Sequence, residues 1–316
     1  MKKNYQNSIK KNAIVIFGAG SYIAKNFITK LLIKKKFELF LVSRKKRKTA
    51  NSITYNNLEK LSIHLNLNYT KTFIYNFACN TNVEDYIKNQ KLTKKSVIHY
   101  QKKILEFSNK IKNFLFILVS SDRVFGKHNK LAYPNSLPKP VDPYAKTKYQ
   151  IEIYFKKYLK NQLIIIRASN VYGPNQKSKQ LLPKIIDQSK KNISKIYVGN
   201  LSNYRDYIYV DDLVDGFIKI LKIKYSKNLI FHFSNKKIKL QKIVNFINSF
   251  FLKNNINKII ISSKINYRKS KFELGKFKLA CYSSNDKLKW QPKTEFFKGL
   301  NIILKNEFKK LKKTNR

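Results

Sequence analysis

The sequence predicts an α/β chain built on a doubly wound parallel sheet, with a smaller α+β substrate lobe at its C-terminal end. Three observations predict it. Short apolar runs rich in β-branched residues alternate with helix-length amphipathic segments through the first half of the chain, the pattern of a parallel sheet covered by helices. The first of these runs leads straight into a small-residue turn, Gly18-Ala19-Gly20. After Tyr172-Gly173-Pro174 the alternation weakens, which marks a change of architecture. A chain of 316 residues has room for about two domains. The pattern divides it at 12–170 and 171–316, with 205–233 packing back on the first part.

Ala13–Phe17 is the first strand. The N-terminus, basic and then apolar, mimics a secretory leader, but the apolar run is short and ends in the glycine turn, so a buried strand explains it better. Ile23, Phe27, Leu31 and Leu32 then share one helical face. Phe37–Val42, Thr72–Phe77, Phe114–Val119 and Leu163–Ile166 read as further strands, separated by helical segments. Beyond Pro174 the pattern predicts a helix at Leu181–Ser189, a strand at Ile196–Val198 and a helix from Asp212 to Leu221, with Asp211 and Asp212 placed to cap it. Leu229–Phe233, Ile243–Phe251 and Ile259–Ile261 add strand, helix and strand, and Glu295–Leu311 closes as a helix after Pro292. Lys or Asn interrupts every apolar run before the ~20 residues a membrane helix needs. No membrane partner is expected.

Hydrophobic residues at 43% and aromatics at 14% supply a core and exclude global disorder. The formal charge is +50, which raises nucleic acid as a partner. Arg occurs only at 44, 47, 123, 167, 205, 268 and 316, however, and Lys makes up the rest of the 67 basic residues. Arg is the better bidentate reader of phosphates and bases, so a Lys excess spread over every segment, beside abundant Asn, Ile, Tyr and Phe, points to coding bias instead. An RNA-binding or regulatory dinucleotide-binding module is the non-enzymatic alternative. Two cysteines cannot build a disulfide framework, which fits a reducing cytoplasm. Four scattered His without ligand spacing predict no metal site.

Gly18-Ala19-Gly20-Ser21-Tyr22-Ile23-Ala24 lies between strand and helix, where small residues let a pyrophosphate approach the backbone and the helix N-terminus offers N–H donors. At the end of the second strand, where an acidic residue would hold the ribose of NAD, the chain reads Ser43-Arg44-Lys45-Lys46-Arg47. That cluster suits a 2′-phosphate and favours NADP over NAD. Tyr144 and Lys148 stand one helical turn apart on a shared face. An ammonium beside a phenol stabilises its phenolate, so Tyr144 is the candidate acid/base. Ser121 follows the apolar strand ending at Val119, at the carboxyl edge of the sheet where open α/β folds bind ligands, and is placed to hold a substrate hydroxyl.

Further segments fall in a fixed order: Asn76-Phe77-Ala78-Cys79 at a strand end, Pro143-Tyr144 through Lys148 with Glu152, and Arg167-Ala168-Ser169-Asn170-Val171-Tyr172-Gly173-Pro174. Tyr204-Arg205-Asp206-Tyr207-Ile208-Tyr209-Val210-Asp211-Asp212 and Trp290-Gln291-Pro292-Lys293-Thr294 follow. In this order the segments resemble the extended short-chain dehydrogenase/reductases, specifically the NAD(P)-dependent sugar epimerase/dehydratase family, over roughly residues 13–300. The resemblance implies a Rossmann-type sheet and a catalytic Ser121, Tyr144 and Lys148. It also implies that Gly18, Ser21, Tyr22, Ile23, Ser43, Arg44, Asn57, Leu58, Phe77, Ala78 and Cys79, with Tyr144 and Lys148, line the cofactor. Asn170, Gln180, Leu181 and Arg205 then fall where relatives hold a nucleotide diphosphate, with Ile196, Tyr197 and Val198 around the base and Arg268 as a further phosphate ligand. The implied partners are a nucleotide-diphosphate sugar and a second copy of the chain, paired through helices around Lys94–Lys110 and Tyr144–Lys160.

Three departures bear on the reaction. Sugar 4,6-dehydratases of this family carry Asp-Glu after the catalytic Ser/Thr, because loss of water across C5 and C6 needs an extra acid and base; this chain has Asp122-Arg123. A guanidinium cannot exchange that proton at neutral pH, so a dehydratase is disfavoured. A C4-epimerase and an NADPH-dependent 4-keto-sugar reductase remain, and the full Arg-Asp-Tyr-Ile block favours the epimerase. Asn76 replaces the family's His, and Cys79 an Ala, at the strand end facing the nicotinamide. Val97 stands near the family's Asn-Val helix start.

Overall fold

The computed structural model describes residues 12–34, 36–43, 52–128, 130–177, 180–189, 195–198, 200–224, 228–254, 256, 260–263 and 278–314. The first part alternates β1 (Ala13–Phe17), α1 (Tyr22–Lys34), β2 (Glu38–Ser43), β3 (Ser52–Thr54), α2 (Leu58–Asn68), β4 (Thr72–Asn76), α3 (Val83–Lys88), α4 (Gln90–Asn109) and β5 (Phe114–Ser121). A 3-10 turn over Asp122–Phe125 and the short β6 (Leu131–Ala132) lead to α5 (Pro143–Tyr158), β7 (Leu163–Ala168) and β8 (Asn170–Tyr172). Next come α6 (Leu181–Ser189), β9 (Lys195–Val198), β10 (Tyr204–Tyr209), α7 (Val210–Ile220) and β11 (Leu229–Phe233). The chain closes through β12 (Lys236–Lys239), α8 (Leu240–Lys253), β13 (Ile260–Ser263), β14 (Lys278–Leu279), α9 (Tyr282–Leu288) and α10 (Phe296–Thr314).

Seven parallel strands form the central sheet in the order β11-β7-β5-β4-β1-β2-β3. Helices cover both faces, which is why β1, β4 and β7 are buried along their whole length and why β1 reads as an unbroken apolar run. Alternate residues still part to opposite faces. Ile14, Ile16, Tyr75, Ile117 and Ile166 pack on one side with Phe27 of α1 and Phe217 of α7. Val15, Ile74, Phe116, Leu118 and Ile165 pack on the other with Leu61 of α2, Ile104 of α4 and Phe155 of α5. A third core joins α6, β9, α8 and α10 through Ile185, Val198, Ile243 and Leu300. From β1 the chain runs outward through β2 and β3 on one side, and through β4, β5, β7 and β11 on the other. The sheet order therefore reverses between β1 and β4, and the crevice beyond their carboxyl ends is the ligand position of such folds.

The predicted strands and helices are found with boundaries shifted by a few residues. Tyr204–Tyr209 is a strand that the pattern does not mark, because Arg205 and Asp206 interrupt its apolar run. It lies in a separate three-stranded sheet, β12-β10-β8, whereas β11 returns to pair with β7 at the edge of the central sheet. Asp211 and Asp212 do not cap α7: the helix starts at Val210, with Tyr209 in the cap position and no side-chain cap bond. Asp212 has another task. Its carboxylate accepts the Thr294 N–H at 2.9 Å and its carbonyl accepts the indole N–H of buried Trp290 at 2.8 Å, fixing the last segment to α7. Among the described residues no helix is long and apolar enough to cross a membrane.

Candidate active site

The turn after β1 and the strand end after β4 form the two rims of the crevice. Gly18 has φ +72°, and a Cβ there would meet the backbone of Phe77 and Ala78 at 2.8 and 2.7 Å, so only glycine lets the rims come this close. Ser21 closes the turn by donating its N–H to the Gly18 carbonyl at 2.9 Å, and its hydroxyl accepts the Ala24 N–H at 3.3 Å. The N–H groups of Tyr22 and Ile23, in the first turn of α1, then have no partner inside the helix and open a site for a phosphate. The Tyr22 side chain is engaged elsewhere: its hydroxyl donates to the Pro174 carbonyl at 3.1 Å and ties the turn to the segment that follows β8. Asn76 explains its own presence in place of His. It donates to Gln101 at 2.7 Å and accepts the Ala78 N–H at 3.0 Å, while Gln101 donates to the Ala78 carbonyl at 2.6 Å. This closed ring of hydrogen bonds holds the rim. Val97 lies inside α4, in the core, and takes no part in it.

Ser121, Tyr144 and Lys148 converge at the carboxyl end of β5. Asp142 precedes Pro143 and caps α5 by accepting the Ala145 N–H at 2.8 Å, which sets Tyr144 in the first turn. Lys148, one turn on, buries its ammonium and donates to the Val119 carbonyl of β5 at 2.9 Å. Burial alone would lower the Lys148 pKa, but Cys79, Tyr144 and Glu152 outweigh it and hold the ammonium charged. For Tyr144 burial is the larger effect and raises the phenol above its usual range, with Lys148, Arg123 and a hydrogen bond from Ser121 pulling it back. The Cys79 thiol sits against both groups and 3.5 Å from the Tyr86 hydroxyl, whose ring meets that of Tyr144 edge-on at 5.5 Å.

Beneath this trio lies a buried ion pair. Glu152, one turn beyond Lys148, receives two hydrogen bonds from Arg167 of β7, at 3.1 and 2.7 Å, and one from the Ser120 hydroxyl at 2.5 Å. Arg167 also donates to the Pro134 carbonyl at 3.1 Å and lies over the Phe125 ring.

The remaining expected site residues are more dispersed. Ser43 ends β2 and Asn57 is exposed before α2, while Leu58 and Phe77 turn into the core. Asn170 spends its amide on the Asp206 carbonyl at 2.9 Å, bridging β8 to β10. Gln180 accepts from Gln176 at 3.3 Å and Leu181 opens α6. On β9, Ile196 and Val198 face the third core and Tyr197 faces outward, so a base could meet the first two through their backbone alone. Arg205 donates to its neighbour's carbonyl at 2.8 Å and its charge acts on Asp122, not on Asp211. Arg44 and Arg268 lie outside the described residues.

The NAD dependent epimerase/dehydratase family model matches residues 14–229, more than half of the chain. The chain belongs to this family. Among curated relatives it is 30% identical over 168 residues to a dTDP-D-glucose 4,6-dehydratase of Dictyostelium discoideum, covering 47% of this chain and 38% of that protein. It is 35% identical over 111 residues to the human protein of that description, covering 34% and 32%. The chain thus spans about a third of the length of these relatives. Among solved structures it resembles a UDP-glucuronic acid 4-epimerase from Bacillus cereus, in complex with UDP-glucuronic acid and NAD, with a TM-score of 0.77 at 20% identity over 95% of this chain and 99% of the other. A UDP-glucose 4-epimerase from Thermotoga maritima, with UDP-glucose, gives 0.76 at 20% identity and the same coverage. At such identity these structures establish the fold.

This member of the epimerase/dehydratase family also holds groups that motif matching overlooks. Asp142 and Tyr86 were not among the candidates, although Asp before Pro-Tyr is a helix-start signal that marks Asp142. Asp122 is buried between Ser121, whose hydroxyl donates to it at 3.1 Å, and the crevice. Burial first, then Asp206, pushes its carboxyl up to about 7, against the pull of Arg123, Ser121 and Arg205. In the unfolded chain it titrates near 3.8, so between these values the folded state holds more protons and stability falls as pH rises. Asp122→Asn is expected to flatten that fall and to be more stable than the parent at pH ~8, with little gain at pH ~4. Urea midpoints at the two pH values check it.

Proposed function

We propose that this enzyme is a nucleotide-sugar 4-epimerase that works by reversible hydride transfer at C4, with NADP preferred to NAD. The observation that carries the reading is the convergence of Ser121, Tyr144 and Lys148 beside the switch-point crevice, while Arg123 stands where a dehydratase needs a base. Tyr144 takes the proton from the sugar 4-hydroxyl and returns it to the 4-keto oxygen. Lys148, held by the Val119 carbonyl, keeps a positive charge beside the phenol and is placed to hold the nicotinamide ribose. Ser121 orients the reacting oxygen by turning its proton from Asp122 toward the sugar. The cofactor, when bound, supplies the hydride acceptor and, in its oxidised form, the positive charge that offsets the burial of Tyr144. Turnover of the keto sugar between the two hydride transfers inverts C4.

The turn fits such a cofactor through the N–H groups of Tyr22 and Ile23, and the basic Arg44-Lys45-Lys46-Arg47 segment supports a 2′-phosphate. Direct titration is expected to give tighter binding of NADP than of NAD, and equal affinity or the reverse order removes the preference. Exposed Leu92 on α4 and Ile153 and Tyr158 on α5 support a homodimer joined through these helices. Incubation with UDP-, GDP- and dTDP-sugars, with and without NADPH, tests the reaction. Isomer interconversion without net NADPH loss is expected. Stoichiometric NADPH loss would replace the reading by the 4-keto reductase, and a 4-keto-6-deoxy product by the dehydratase of the curated relatives.

A further inference from the structure

Arg123 is two residues beyond Ser121, in the 3-10 turn at the mouth of the crevice. Its Nε and Nη2 donate to one oxygen of Asp142 at 3.1 and 2.7 Å, and the other Asp142 oxygen is fixed on the α5 N-terminus. Asp142 is fully buried, so the guanidinium is locked in place, yet Arg123 keeps 21% of its side-chain surface exposed. A guanidinium has five N–H donors, and two are used here. Nη1 and the second Nη2 proton have no partner among the described residues, and the partial exposure of the side chain leaves them open to a ligand. The charge lies close enough to Tyr144 to act on its phenol. Asp142 takes up one edge of the guanidinium; burial holds the other neighbouring acid, Asp122, partly neutral near pH 7, so it competes only weakly for the donors that remain.

A sugar whose C4 oxygen sits on Tyr144 and Ser121 carries C6 on the adjoining ring carbon, so a group on C6 reaches only as far as the residues flanking Ser121. We propose that Arg123 is a specificity residue that reads a carboxylate on C6, making the preferred substrate a nucleotide hexuronic acid. This rests on the epimerase reading and narrows its substrate class. The rigid fork of Arg suits a carboxylate, and a neutral hydroxymethyl group would leave its donors poorly matched.

The test compares UDP-glucuronic acid, its uncharged C6 amide and UDP-glucose on the cofactor-loaded full chain, by binding and by turnover. The acid is expected to bind at least about tenfold more tightly than the amide, the scale of a lost charge-assisted hydrogen bond. Arg123→Gln is expected to bring that ratio close to one. Equal binding of acid and amide by the parent protein overturns the assignment without any variant, so a poorly folding Arg123→Gln does not decide the matter. An unchanged ratio in a folded Arg123→Gln also overturns it. Interconversion of UDP-glucose as efficient as that of the acid refutes the specificity and leaves the epimerase standing. Absence of C4 inversion in every sugar refutes the epimerase and the specificity built on it.

Discussion

Tyr144→Phe is expected to lower turnover of a nucleotide sugar by about 10²-fold or more, the usual scale for loss of a general acid/base. The fold should be indifferent. Tyr144 is almost wholly buried, and its ring packs edge-on against Tyr86 at 5.5 Å, a contact that Phe keeps. The Lys148 ammonium retains the Val119 carbonyl, so the cofactor side of the crevice is also preserved. The signature is therefore a fall in kcat with unchanged cofactor affinity and unchanged urea midpoint. Burial holds the phenol above its ordinary range against Lys148 and Arg123, so removing either cation should raise it further and displace the alkaline-activated limb of the pH–rate profile to higher pH. Turnover of Tyr144→Phe equal to that of the parent would remove the phenol from the reaction.

Glu152→Gln is the substitution expected to cost most stability, about 3–5 kcal/mol, because it strips the counter-charge from a guanidinium with no access to water. Arg167 and Glu152 are 1% and 0% exposed, and their pair is made by two parallel hydrogen bonds. Ser120 shares the same carboxylate and is joined to Ser121, so the variant should lose activity beyond its loss of folded protein. Chemical denaturation of the parent, Glu152→Gln, Arg167→Met and the double variant closes a cycle. Recovery of much of the loss in an apolar pair such as Glu152→Leu with Arg167→Met is expected, since burying two charges is itself costly. A single variant within ~1 kcal/mol of the parent would show that the pair contributes little.

Much of this arrangement was legible in the amino-acid order. The first strand, the glycine turn and the first helix are set by a fully apolar run, three small residues and a helical stripe, and the structure has all three. Tyr144 and Lys148 share a face because four residues make about one helical turn. What the sequence could not reveal was partner choice. Asp206, beside Arg205 in the chain, is occupied from afar by the Ser234 hydroxyl and the Leu279 N–H. Asp212 before an apolar-periodic run suggests a cap, but α7 starts two residues earlier, at Val210, and the carboxylate is used by Thr294. The alternation along β9 tells which residues face the core only once the neighbouring helices are known. For Asp206 and Asp212 a contact some tens of residues away decided how the side chain is used.

The position of β11 bears on how the molecule is made. β7 is complete at Ala168, but the strand that covers its outer edge ends at Phe233. A nascent chain emerging from the ribosome must synthesise α6, β9, β10 and α7 before that ladder can close. During this interval the backbone of a strand buried along all its length in the finished protein is open to any neighbouring chain, and chaperones or slow elongation would matter most there.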